Sequence, residues 1–128
     1  MKDHHRFYLC KKDGTLLGVI HDGGGELLCC GQPMQELVAN TSEGAQEKHL
    51  PVVKREGDEI VVDVGSVPHP MSEEHSINWV YLLTTKGGQR KNLPFDGQPI
   101  ARFRITDDDE PVAAYAYCNL HGLWKTDI

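Results

Sequence analysis

The chain has 128 residues, 39% hydrophobic and 25% charged, with a formal net charge of −6. That length fits one domain with room for a small extra module, and the composition is that of a globular chain, not a disordered one. The acidic balance argues against nucleic acid as a partner, which needs a basic field, and the longest apolar run, Val112 to Cys118, falls far short of the roughly 20 residues of a membrane span.

The first stretch, MKDHHRFYLC, is polar and lacks the apolar segment of a secretory signal, so a cytoplasmic location with reduced thiols is expected. Short strands are predicted over Phe7–Cys10, Leu16–Ile20, Glu26–Cys29 and Met34–Val38, separated by Asp13-Gly14 and the Asp22 to Gly25 turn. A boundary is expected after residue 38. The segment before it is Gly-rich and Cys-bearing, too short for a core of its own, and such modules usually need a metal or disulfide staple. Its three cysteines, Cys10, Cys29 and Cys30, include an adjacent pair. The chain's even cysteine count allows two disulfides, but clustered Cys and His in a cytosolic chain favour metal. His4, His5 and His21 read as solvated surface groups.

In residues 39–128 a helical turn is expected from Ser42 to His49, with Thr41 or Ser42 as its cap. Strands follow over Leu50–Lys54, Glu59–Val64, Ile77–Thr85, Gln89–Leu93, Ile100–Ile105 and Val112–Cys118. Alternation places Ile60, Val62 and Val64 on one face, and Ile77, Trp79, Tyr81 and Leu83 together on another. Strands at this spacing predict an all-β sandwich or barrel.

Five residues sit beside breaks in these strands: His49, His69, His75, Cys118 and His121. A loop histidine is ordinarily solvated or hydrogen-bonded, and a cysteine at a strand end is ordinarily a small buried group. Cys118 and His121 form a C-x-x-H pair, a weak signal alone; the concentration of four imidazoles and a thiol outside strand interiors favours a metal. Five donors exceed the four of a closed zinc site. They suit a square-pyramidal ion, imidazoles in the base and sulfur at the apex, open opposite the sulfur.

The stretches GGGELLCCGQPM (Gly23–Met34), EKHLPV (Glu47–Val52), VGSVPHPMSEEHSINWVYL (Val64–Leu82) and YCNLHGLWK (Tyr117–Lys125) resemble desulfoferrodoxin, the two-domain superoxide reductase, in order and over nearly the whole chain. The resemblance implies a seven-stranded immunoglobulin-like β-sandwich in residues 39–128 and a small desulforedoxin-like β module in residues 1–38. It implies one iron held by His49, His69, His75 and His121, with Cys118 as axial thiolate, reducing superoxide to hydrogen peroxide. Lys48 then matches the cation beside the open position, and Glu47 the carboxylate that can fill that position on oxidised iron. A homodimer and a small electron donor such as rubredoxin are implied as well. The family's first module ordinarily holds iron on four cysteines. Here Cys10, Cys29 and Cys30 match three of them, and Asp13 stands in the fourth place, leaving iron, zinc or no metal open there. A non-catalytic electron-transfer module and a structural zinc protein are the rival readings.

Overall fold

The computed structural model describes residues 5–42 and 44–128. Contacts divide the chain into two compact units, Met1–Val38 and Ala39–Ile128. No helix among the described residues is long and apolar enough to cross a membrane.

In the first unit β1 (Arg6–Leu9) lies between β2 (Leu16–Val19) and β5 (Gln35–Glu36), while β3 (Leu28–Cys29) and β4 (Gln32–Pro33) form a separate hairpin. Every pairing is antiparallel. β4 carries no apolar alternation and was not legible as a strand. His21 is exposed, as expected. His5 is not a solvated group: it is half-buried with its ring edge-on to Phe7, centroids 4.7 Å apart. His4 lies outside the described residues.

Among the described residues the second unit holds seven strands in two antiparallel sheets. Its helix α1 (Gln46–His49) leads into β6 (Pro51–Glu56), and β7 (Glu59–Val64) returns beside it. β8 (Ile77–Thr84), β9 (Gly87–Asn92), β10 (Ile100–Arg104), β11 (Pro111–Cys118) and β12 (Gly122–Asp127) follow. The sheets run β10-β7-β6 and β12-β11-β8-β9. Their facing side chains make one core: Ile60, Val62 and Val64 of β7, Ala101 and Phe103 of β10, Ile77, Val80 and Leu82 of β8, and Ala114, Ala116 and Cys118 of β11. Each large apolar side chain buried there is worth about 1.5–3 kcal/mol.

Two expectations are corrected, the first by strand register. Ile77 does not share a face with Trp79, Tyr81 and Leu83. The β8–β11 ladder shifts between Tyr117 and Cys118, so Ile77 opposes Cys118 while Trp79 opposes Tyr117. The shift turns Ile77 inward with Val80 and Leu82, and Trp79 stacks on Tyr117 instead, centroids 5.5 Å apart. The helical turn is also shorter than expected. It begins after Ala45, which has extended backbone and makes no side-chain cap, and Ser42 donates its hydroxyl to the His121 carbonyl.

Candidate metal centre

The sandwich brings the five candidate donors to one end. His49 ends α1, and Pro51, two residues on, pairs with Val64 at the close of β7. His69 and His75 lie in the β7–β8 connection. Cys118 ends β11, pairs with both Ile77 and Gly122, and turns directly into His121. One donor atom from each of the five lies within 4.8 Å of all the others.

The four imidazoles close a ring in the order His49, His69, His75, His121. Successive centroids are 4.7, 4.7, 5.2 and 4.8 Å apart, each pair edge to face. Carbonyls fix which nitrogens face inward. His49 Nδ1 donates to the Ala45 carbonyl and His69 Nδ1 to the Pro70 carbonyl, both at 2.7 Å, which leaves each Nε2 as an acceptor. His49 Nε2 then lies 3.0 Å from His121 Nδ1 and 3.2 Å from His69 Nε2. Nitrogens set at right angles on metal bonds of about 2.1 Å would stand about 3.0 Å apart. His75 Nε2 is buried with no hydrogen-bond partner, a cost of about 1–3 kcal/mol that a bound cation removes. The donor set therefore fits a metal ion with a square base of nitrogens.

Burial pushes three of the imidazoles toward their neutral, ligating form. It lowers His49 and His75, and brings His69 down to about 4, with the neighbouring rings adding to the effect. Cys118 is fully buried and its Sγ lies 3.8 Å from His121 Nδ1. Burial raises its thiol, and hydrogen bonds from the Leu120 and His121 amides work the other way. His75 and His121 are only half-buried, so solvent reaches those two rings, while His49, His69 and Cys118 are buried.

Three residues support the ring; Trp124 and Gly44 were not assigned by sequence reasoning, and Asn119 was read only as holding its turn and as an amide donor to the sulfur. Trp124 stacks on His49, centroids 4.8 Å apart, and its Nε1 donates to the His121 carbonyl at 3.1 Å. Gly44 abuts both rings: a Cβ there would lie 3.1 Å from His49 Cε1 and 3.3 Å from His121 Cγ. Asn119 clamps the loop on both sides of His75, its Oδ1 accepting from the Ser76 amide at 3.0 Å and its Nδ2 donating to the Glu74 carbonyl at 2.9 Å. Only the tryptophan of the YCNLHGLWK stretch could have signalled this, since the contacts depend on register. Asn119→Ala is expected to weaken metal binding about 10–100-fold while the sandwich stays folded. Asn119→Asp, which keeps the acceptor, should lose less, and metal titration followed by absorbance reads both.

Lys48 is exposed, and its charge acts on both His49 and His75. Glu47 is exposed on the same turn and lines an open cleft of about 630 Å³ with Leu50, Pro51 and Ser66.

A second cluster lies in the first unit. Donor atoms of Cys10, Asp13, Cys29 and Cys30 all fall within 4.8 Å of one another. The Thr15 amide, which donates to Asp13 Oδ1 at 3.0 Å, is the main cause holding that carboxyl at about 2. Hydrogen bonding with Cys10 is the main cause pushing Cys29 up to about 12.

Residues 41–127 match the family model described as Desulfoferrodoxin, and residues 3–37 the one described as Desulfoferrodoxin, N-terminal domain. A desulfoferrodoxin homolog of Archaeoglobus fulgidus is 42% identical over 126 residues, spanning 98% of this chain and 99% of that protein. The desulfoferrodoxin of Syntrophotalea carbinolica is also 42% identical, over 99% of each chain. The crystal structure of the superoxide reductase from Treponema pallidum is similar with a TM-score of 0.83 at 42% identity, covering 98% of this chain and all of that one.

Proposed function

The chain belongs to the desulfoferrodoxin family, and from that membership we propose that it is a superoxide reductase, reducing superoxide by one electron to hydrogen peroxide. The observation that carries the reading is the closed ring of four imidazoles with a buried thiol beside it. His49, His69 and His75 through Nε2, His121 through Nδ1 and Cys118 through Sγ would hold one iron. Bound there, the iron supplies the electron, and two protons complete the product.

The protein's own groups do the rest. Superoxide is an anion, and the net charge of −6 repels it at long range. Screening over a Debye length of about 8 Å leaves local charge in control. The Lys48 ammonium, whose charge is felt at His49 and His75, makes the local field attractive and would offer a proton at Nζ. Glu47, exposed on the same turn, is the carboxylate that the family resemblance implies as a further ligand for oxidised iron. The Leu120 and His121 amides temper the sulfur's charge and so its donor strength.

Donor-coupled superoxide consumption tests the reading: one peroxide per superoxide with no oxygen evolved supports it, and an iron-loaded protein without turnover ends it. Lys48→Ala should slow association about tenfold and flatten its salt dependence, with the visible spectrum unchanged, as stopped-flow mixing would measure. A small donor of the rubredoxin type, a homodimer and a cytoplasmic location complete the proposal, on the strength of the family resemblance.

A further inference from the structure

The unit Met1–Val38 is short of core. Among its described residues the buried apolar side chains are Phe7 and Cys10, while Leu17, Ile20, Leu28 and Val38 are exposed. Chains of below about 40 residues usually need a disulfide, a metal or a partner to fold. Cys10, Cys29 and Cys30 are free thiols, with Cys29 Sγ and Cys30 Sγ at a non-bonded 3.9 Å.

Two turns gather the donors. Cys10 and Asp13 come from the β1–β2 turn, closed by Gly14 N donating to the Cys10 carbonyl and Cys10 N to the Thr15 carbonyl, both at 2.8 Å. Cys29 ends β3 and Cys30 follows it in the β3–β4 turn. An iron relay on four thiolates does not fit, because this unit has three cysteines and the fourth donor is the Asp13 carboxylate.

We propose that Cys10, Asp13, Cys29 and Cys30 form a closed zinc site that staples the first unit and carries no electrons. The spacing matches a tetrahedral ion. Zinc–sulfur bonds of about 2.3 Å and a zinc–oxygen bond of about 2.0 Å require edges of about 3.8 Å between sulfurs and about 3.5 Å from sulfur to oxygen. The corresponding separations are 3.9 Å for Cys29 to Cys30 and 3.8 Å from Asp13 Oδ2 to each of Cys29 and Cys30, the sulfur–oxygen edges a few tenths of an ångström long without the ion. Zinc accepts mixed sulfur and carboxylate donors, outranks ferrous iron in affinity for a given site, and has no second oxidation state to use. Binding moves protons only: each thiol proton passes to solvent as its sulfur–zinc bond forms, and Asp13 joins already ionised. Electrons bound for the His/Cys centre then travel by a route that avoids this site.

Elemental analysis of the full chain, produced with both metals in the medium, tests the proposal, with zinc counted apart from the iron of the other centre. About one zinc per chain is expected, lost in Cys30→Ser while the iron is kept. Asp13→Ala removes the fourth donor and should weaken zinc binding, read by competition with a chelator, while the iron of the other centre is kept. Wild-type protein with no zinc or with a second iron would overturn the proposal, as would Cys30→Ser with its zinc intact. An Asp13→Ala protein that holds zinc as tightly as the wild type would remove Asp13 from the site.

Discussion

Cys118→Ser is expected to abolish the thiolate colour of the iron-loaded protein and to lower its rate of superoxide reduction at least about a hundredfold. The side chain is fully buried and belongs to the core, so serine, close in size, keeps the packing. The Leu120 and His121 amides that meet the sulfur can donate to a hydroxyl just as well. The change therefore removes the soft anionic donor and little else. Serine does not ionise in this range, and a neutral oxygen cannot replace a thiolate as a strong electron donor. Far-ultraviolet dichroism should be unchanged, while absorbance and stopped-flow kinetics collapse together. A variant that keeps both colour and rate would place Cys118 outside the centre, and the enzymatic reading would go with it.

The donors of that centre were legible because each interrupts a strand pattern, and strand ends are where a sandwich gathers its loops. The order of the rings around the centre was not legible, since His49 and His121 become neighbours only through the pairing of β11 with β12 and the return of α1 to β7. The strand Glu59–Val64 is read with its true bounds, because its alternation is backed by valines and isoleucine. β12 was missed: in Gly122–Asp127 only Leu123 and Trp124 are buried, and its ladder with β11 defines it, not its own pattern. The misphased face of β8 has the same kind of cause. A register shift opposite Tyr117 and Cys118 reverses a period-two reading at one point, and no residue type announces it. Asn119 and Trp124 act through partners 43 residues or more away, or through a ring stack, so their roles appear only once the loops are in place.

Gly65→Ala should destabilise the second unit by about 2–4 kcal/mol, which lowers its melting temperature by about 10–20 °C. Gly65 follows β7 with φ +88°, and an added Cβ would lie 2.4 Å from the Val67 carbonyl oxygen and 2.7 Å from that of Lys48. Both are backbone atoms, so neither can swing aside. Around it, Gly65 N donates to the Leu50 carbonyl at 3.0 Å, and Val67 N to the Glu47 carbonyl at 2.9 Å. These bonds sew the turn bearing Glu47, Lys48 and His49 to the loop that leads to His69. A methyl group at Gly65 pushes those segments apart, moving a ligand and the proposed superoxide-attracting cation together. Gly57→Ala is the matched control: it also has positive φ, at +61°, but nothing lies within 4 Å of its Cβ position. It should cost only the left-handed backbone term, about 1 kcal/mol. Trp79 and Trp124, the chain's two tryptophans, both belong to this unit, so their fluorescence follows its melting alone. If the two alanine variants melt together, the close approach at Gly65 contributes nothing; if Gly65→Ala melts lower and binds iron more weakly, the seam between the two loops holds the centre in register.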